Sequence, residues 1–237
     1  MRSKRLSAQI PALAALLLAV IWGLFAHRYY GPTTPLSPAE VDRYVAGVKT
    51  MFVTAGVPDA DGNVDLDTIL QQVRAFAETD DGKPIYMINL MKWRDAPLFR
   101  PDTPMVAGMS VQDADLAYNQ GLLYELAKNA SHTAYLSSTH DNVINYGFSS
   151  QDVDHWGEIG IFRYSSRRDF FNMLVSDSYA SIVYFKLASM GRIAITPSHP
   201  HGLLFNPMPN LPVLLAFLFI VGYLVLLLVL NRTTTSE

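Results

Sequence analysis

The chain contains no cysteine among its 237 residues. This absence excludes disulfide bonds, a thiolate nucleophile and a thiolate metal site. The six histidines form no HxxxH arrangement, so neither a metal site nor a haem ligand set is expected. Ser-His-Asp, phosphate-loop and dinucleotide patterns are also missing, as are internal repeats. We therefore expect no cofactor and no bound metal.

Charge is sparse as well, at 16% of the residues. Between the two apolar runs described next there are 14 lysine and arginine residues against 20 aspartate and glutamate residues. A nucleic-acid-binding surface would be basic. No nucleic-acid partner is therefore expected.

Two long uncharged runs, residues 10–26 and 211–230, lie near the ends of the chain. The second has the length needed to cross a bilayer, and its apolar character on all sides argues against a buried core helix. For the first, a cleaved signal peptide is the alternative, but Leu24 departs from the small-residue pattern of a cleavage site. We favour a retained anchor at 10–27, and the bilayer is then a partner of the protein.

Basic residues precede the first run and only Arg28 closely follows it, which predicts an N-terminus in the cytoplasm. We expect an integral membrane protein, of the bacterial inner membrane, with residues 28–210 in the periplasm. The predicted organisation is a cytoplasmic N-terminus (1–9), a transmembrane helix (10–27), a spacer with two amphipathic helices (28–82), a ferredoxin-like domain (83–198), a proline-rich linker (199–210), a second transmembrane helix (211–230) and a cytoplasmic tail (231–237).

Helix-capping residues predict the two amphipathic helices. Ser37-Pro38-Ala39-Glu40 combines an N-cap, a proline at the first helical position and a capping-box acid. Asp65 or Asp67 can cap the second helix. The intervening segment 59–65 resembles half a calcium loop, but with Gly62 in the sixth place Thr68 takes the place of the bidentate acid. A turn is therefore favoured over a calcium site.

Residues 83–198 show the order strand, helix, strand, strand, helix, strand. The predicted elements are a buried central strand (84–94), a helix (113–129), a polar edge strand (131–140), a strand (155–164), a helix capped by Ser166 and a closing strand (192–196). This order is typical of the ferredoxin-like α+β fold. In that fold the first and third strands are central and antiparallel, so 84–94 is expected to pair with 155–164.

Four segments carry a resemblance to a known superfamily. They are NLMKWRD (89–95), DLAYNQGLLYEL (115–126), WGEIGIFRYSSR (156–167) and FKLASM (185–190). Over residues 64–198 the chain resembles the dimeric α/β-barrel superfamily, and most closely an uncharacterised branch with N-L-M-K, R-Y-P-S-R and K-x-A-G-M motifs. Ser165 replaces the proline of the second motif and Ser189 the glycine of the third. The resemblance implies a fold and a homodimer more than a reaction.

Three functions are compatible with these observations. The leading hypothesis is a binding or accessory module whose cavity takes a small apolar or aromatic molecule. The rivals are an enzyme like the cofactor-independent monooxygenases or isomerases of the superfamily, and a structural subunit of a membrane complex. One sheet face would be left bare, and we expect either a second copy or residues 37–79 to cover it.

The catalytic residues, if any, are not identifiable from the sequence, but candidates for ligand binding are. They are expected between the central strands and the helix 113–129, where polar residues need partners. If the strands pair as proposed, Lys92 and Glu158 could approach each other as an ion pair. Lys186 is interpreted as an ordinary solvated helix residue. The candidates are Asn89, Lys92, Tyr118, Trp156, Glu158 and Arg163.

Overall fold

The structure, a computed structural model, describes residues 2–31, 33–56, 65–99, 108–140, 155–199 and 210–235. The calcium-like loop and the proline-rich linker lie mostly outside these ranges. The described residues form seven helices and a four-stranded antiparallel sheet, which confirms the α+β class. In chain order the elements are α1 (Arg2–Tyr30), α2 (Pro38–Ala55), α3 (Leu66–Glu78), β1 (Ile85–Trp93), α4 (Val111–Lys128), β2 (His132–Ser138), β3 (Glu158–Tyr164), α5 (Arg167–Leu174), α6 (Asp177–Ser189), β4 (Met190–Ser198) and α7 (Leu211–Thr235).

The chain divides into two compact units, and the first consists of Met1–Gly31 with Pro207–Glu237. Ile10–Tyr30 of α1 and Leu211–Leu230 of α7 have mean hydropathies of 2.1 and 3.2, and each is long and apolar enough to cross a membrane. The two helices pack against each other, and Trp22 Nε1 donates a hydrogen bond of 2.8 Å to the Pro212 carbonyl oxygen. Both apolar runs are therefore helical, as a membrane span requires.

The second unit, Pro32–Asn206, begins with the two amphipathic helices. The Glu40 N–H donates to the Ser37 hydroxyl at 3.4 Å and the Ser37 N–H donates to the Glu40 carboxylate at 2.9 Å, which is the predicted capping box of α2. Asp65, the first of the two predicted candidates, caps α3 by accepting the Thr68 N–H at 3.1 Å. Local capping chemistry is enough to position both helices along the chain.

The sheet has the strand order β2-β3-β1-β4. β1 pairs antiparallel with β3, with Ile85 opposite Tyr164 and Met91 opposite Glu158, so the predicted central pair is confirmed. β2 lies at one edge, also as predicted, and β4 at the other. The closing strand is longer than predicted, because it starts directly at Met190 where α6 ends.

Opposed residues of an antiparallel pair share a face. Met87, Asn89 and Met91 therefore lie on one face with their β3 partners, which include Phe162 and Glu158, and this face is buried under helices. The other face carries partly exposed isoleucine and leucine side chains. β1 is thus well buried on one face only, whereas its apolar composition predicted burial on both.

The amphipathic helices lie on the helix-covered side of the sheet. α2 packs against α3, α5 and α6, and Tyr44 of α2 stacks on Phe171 of α5 with ring centroids 5.1 Å apart. Val48 and Met51 belong to the same buried cluster as Phe162. The expectation that residues 37–79 could cover the open sheet face is therefore wrong, because the apolar sides of α2 and α3 are already buried on the other side of the sheet, where α5 and α6 lie.

The connection from β3 to β4 contains two helices, α5 and α6, because serine and aspartate residues interrupt the helical pattern. α5 ends at Leu174, and Ser176 caps α6 by accepting the Tyr179 N–H at 3.1 Å. The new helix presents Tyr179, Val183 and Lys186 to the protein interior. The helix that begins after this break therefore carries Lys186 into the core.

Candidate functional site

A cavity of about 1370 Å³ lies inside the second unit, on the helix-covered side of the sheet. Its walls come from α2 to α6 and from β1, β3 and β4, and they are mostly aliphatic and aromatic. Ligand cavities are typically lined in this way, with a small number of polar groups that orient the ligand. The cavity extends well beyond the predicted position beside α4. Its polar wall residues are Gln72, Asn89, Arg94, Tyr118, Trp156, Tyr164, Tyr179, Lys186 and Arg192.

Lys186 is the central polar residue of the wall. Its side chain is 5% exposed, and its Nζ donates a hydrogen bond of 3.2 Å to Asn89 Oδ1. The ammonium also lies over the Tyr118 ring, 5.2 Å from the centroid, which is a favourable cation–π geometry. Burial lowers the pKa of Lys186 from 10.5 to about 8, against the attraction of Asp115 and Glu158. The lysine is therefore mostly charged at neutral pH but can lose its proton more readily than an exposed lysine.

Asn89 is oriented by its own strand. Its Nδ2 donates to the Met87 carbonyl oxygen at 3.1 Å, which leaves Oδ1 to accept from Lys186. At 4% exposure the amide has little access to water. Buried amides need such partners, and here they fix Lys186 against β1.

Glu158 begins β3 on the same face as Asn89. Burial raises the pKa of its carboxyl group from 4.5 to about 7, the charge of Asp115 raises it further, and Lys186 lowers it. Within the described part of the chain this carboxyl group has no hydrogen-bond partner. A carboxyl group with a pKa near 7 can accept and return a proton at neutral pH.

Asp115 of α4 completes the charged cluster. Its Oδ2 accepts a hydrogen bond of 2.9 Å from Asn119, while its Oδ1 is buried and has no hydrogen-bond partner among the described residues. Burial raises the pKa of Asp115, whereas Lys186 and the Asn119 hydrogen bond lower it. The cluster therefore combines one ammonium with two carboxyl groups whose protonation is sensitive to their surroundings.

Two tyrosines border the lysine. The hydroxyl oxygens of Tyr118 and Tyr179 are 3.5 Å apart in the interior. Burial raises the pKa of Tyr118 well above 10, and the neighbouring Tyr179 hydroxyl adds to the effect. Both phenols are thus neutral hydrogen-bonding groups at physiological pH.

The six predicted site residues separate into two groups. Asn89, Tyr118 and Trp156 line the cavity, and Glu158 is buried on the same face of the sheet. Lys92 and Arg163 project from the opposite face, since they alternate with residues of the covered face. The predicted approach of Lys92 to Glu158 is therefore wrong: Glu158 stands opposite Met91, and a shift of one residue reverses the face.

The sequence interpretation did not identify Lys186, the lysine that lies on the covered face where Lys92 was expected. Lys186 was expected to be solvated, but it is buried, because α6 turns its Tyr179–Val183–Lys186 side towards the sheet. The spacing of four and then three residues is the helical signal that could have placed it with the core. Asp115 gave a weaker signal, since it lies beside the buried stripe of α4 and not within it.

Metal ligation has no support in the described part of the chain, where no three histidine, aspartate or glutamate side chains group around a common point. His132 lies on edge strand β2, where its Nδ1 is 3.1 Å from the Thr133 carbonyl oxygen. The groups at or beside the cavity that can take part in chemistry include the lysine, the amide, the carboxyl groups and the phenols.

No protein-family model and no curated protein matches the chain. Among solved structures, a protein of unknown function from Rhodopseudomonas palustris is similar over 56% of this chain and 94% of its own, with 20% identity and a TM-score of 0.48. A hypothetical protein from Arabidopsis thaliana is similar over 51% of this chain and 91% of its own, with 12% identity and a TM-score of 0.32.

Proposed function

We propose that residues 33–199 form a binding domain that takes a small, mainly apolar or aromatic molecule. The observation that carries this proposal is the cavity of about 1370 Å³, larger than the roughly 300–1,000 Å³ of ordinary ligand pockets. The cavity is partly open to solvent, since Ile195 and Pro197 of its wall are exposed. A space of this size lined by aromatic and aliphatic side chains is best explained by a molecule that fills it.

Native mass spectrometry of the full chain released from nanodiscs tests the proposal. We expect the wild-type protein to carry a co-purified small molecule. Leu187→Trp, which fills space at the cavity wall, should lose it. Leu123→Trp is the matched control, because Leu123 is 60% exposed on α4. A wild-type protein that never carries a bound molecule would instead support a structural subunit.

An enzyme is the second candidate, and the charged cluster favours it. Glu158 has a pKa of about 7, and Lys186 and Asn89 could hold a carbonyl or enolate oxygen nearby. Such a set could support proton transfer in a cofactor-independent monooxygenase or isomerase. Turnover of a bound molecule that Glu158→Gln abolishes, while binding persists, would establish the enzyme. Unchanged turnover in that variant would exclude Glu158 as its base.

The fold proposal is a ferredoxin-like domain of the dimeric α/β-barrel type. The strand order β2-β3-β1-β4, with helices in the first and last connections, supports it. Ile88, Leu90, Ile159 and Ile161 lie half-exposed on the open face, and apolar patches of this kind commonly mark interfaces. We propose that a second copy covers them. Sedimentation of the full chain should show a dimer that Ile161→Glu dissociates, and a wild-type monomer would refute this.

We further propose that the protein resides in a bacterial inner membrane with residues 28–210 in the periplasm. The two helices long enough to span a membrane and the basic residues before the first of them support this orientation. Reporter fusions at residues 60 and 237 should report opposite compartments. A cytoplasmic residue 60 would show that the orientation is wrong, and a periplasmic location of both residues would show that the second helix does not span the membrane.

A further inference from the structure

The charges that line the cavity are all of one sign. Arg94, Lys186 and Arg192 contribute to its wall, whereas none of the described aspartate and glutamate residues does. This is the reverse of the chain as a whole, which carries a net charge of −3. A cationic cavity wall in an acidic protein is a feature that an anionic ligand group would recognise.

Two of the three cations lie at one end of β1, and Lys186 lies at its middle. Arg94 directly follows β1, whereas Arg192 pairs with Lys92, shares the open face with it and is exposed. The Arg94 side chain passes close to the beginning of β4, since a Cβ atom at Gly191 would lie 3.5 Å from Arg94 Cγ. Lys186 reaches β1 from above at Asn89. The part of the cavity from Asn89 to Arg94 is defined as the basic end.

The opposite end of the cavity is apolar and aromatic. Tyr164 stands opposite Ile85 at the start of β1, its ring packs edge-on against Phe170, and Phe170 packs in the same way against Phe76 of α3. Met87 and Arg94, which both line the cavity, are seven residues apart. That spacing corresponds to about 23 Å of extended strand, and the cavity therefore changes from apolar to basic along a considerable length.

Lys186 makes the case for an anion more specific. Its hydrogen-bond acceptor, Asn89, is neutral, and within the described residues no carboxylate lies within 4 Å of its ammonium group. A buried ammonium in apolar surroundings is unfavourable unless it is paired. An ammonium has three N–H donors, so the hydrogen bond to Asn89 leaves two for a ligand.

Resting on the proposed binding function, we infer that the ligand is an amphiphile, with one anionic oxygen group at the basic end and an apolar body directed towards α2 and α3. A fatty-acid-like carboxylate and the head of an anionic phospholipid share this chemistry. The apolar body explains the aromatic wall, and the anionic group explains the cationic side chains of Lys186 and Arg94 in this part of the wall.

The test compares a matched acid and ester. Dansyl-labelled undecanoate and its methyl ester are titrated onto the full chain in phosphatidylcholine nanodiscs, with empty nanodiscs as the blank. We expect the acid to bind at least about tenfold more tightly than the ester, as expected for a charge-assisted contact. Lys186→Met should remove this preference. Lys49→Met, a change of the same kind at an exposed position of α2, should retain it.

The outcomes separate the inference from the proposed function. An ester that binds as tightly as the acid, or a preference that survives in Lys186→Met, would overturn the inference but leave a cavity that binds apolar molecules. Failure of both probes to bind would refute the proposed function itself. Displacement of the dansyl acid by hexadecanoate would identify the ligand group as a free carboxylate. Displacement of the dansyl acid in phosphatidylglycerol nanodiscs would identify it as a phospholipid head. If neither displaces the dansyl acid, the inference of an anionic amphiphile is overturned.

Discussion

Replacing Lys186 with methionine should change the pH dependence of the stability of the second unit, Pro32–Asn206. Lys186 has a pKa of about 8 in the folded chain against 10.5 for an unperturbed lysine. Because the folded value is the lower one, the unfolded chain binds the proton more tightly, and protonation favours unfolding. The contribution of Lys186 to stability is therefore fully present above pH 10.5 and is lost as the pH falls through about 8.

The magnitude follows from the two pKa values. Their difference corresponds to about 3 kcal/mol of destabilisation at pH 7, where the lysine is charged in both states. At pH 10 it is neutral in the folded chain and partly charged in the unfolded chain, and the remaining destabilisation is about 1 kcal/mol. Wild type should therefore gain about 2 kcal/mol relative to Lys186→Met between pH 7 and pH 10.

Urea unfolding of the full chain in nanodiscs measures the effect. A Trp22→Phe background leaves Trp93 and Trp156 as reporters, both in the second unit. Lys49→Met, on the exposed side of α2, should follow the wild-type profile. If wild type and Lys186→Met change in parallel from pH 7 to pH 10, Lys186 is not a desolvated ammonium and the reasoning about its site fails.

Two further predictions concern the packing of Phe171 and the face of the sheet from which Lys92 projects. Phe171 is fully buried against Tyr44, so Phe171→Ala should lower the free energy of unfolding by about 3–5 kcal/mol; a loss below about 1 kcal/mol in urea unfolding would contradict this packing. Lys92 projects from the face opposite the cavity, so Lys92→Met should leave binding of the dansyl acid unchanged while Asn89→Leu weakens it. Equal effects of the two substitutions in the same titration would show that the faces are assigned wrongly.

Much of the second unit follows from local signals in the sequence. Ser37 with Glu40, and Ser166 with Asp169, form the helix caps that their spacing predicts. The order of strands and helices also predicts the antiparallel pairing of 84–94 with 155–164, and the register confirms it. These features depend on neighbours within a few residues or on the few sheet topologies that one order of elements permits.

The position of the amphipathic helices could not be predicted in the same way. An apolar stripe on 37–79 shows that these helices dock, but either side of the sheet could receive it. In the structure α2 docks against α5 and α6 through contacts between distant residues. One example is the hydrogen bond of 2.7 Å between the side chains of Tyr44 and Asn172. Arg168 of α5 adds an ion pair with Glu40 of α2. Neither contact has a local signature, because its partners are more than a hundred residues apart.

Lys186 is an intermediate case, since two simple periodicities together place it. Alternation along β1 and β3 puts Asn89 and Glu158 on one face and Lys92 and Arg163 on the other, so no strand residue supplies a cation to the covered face. A buried amide and a buried carboxyl group on that face need a partner from the helices above it. On α6, the period of 3.6 residues aligns Tyr179, Val183 and Lys186 on the side that meets the sheet. The parity of the strands and the period of the helix are therefore sufficient, in combination, to bring Lys186 to Asn89.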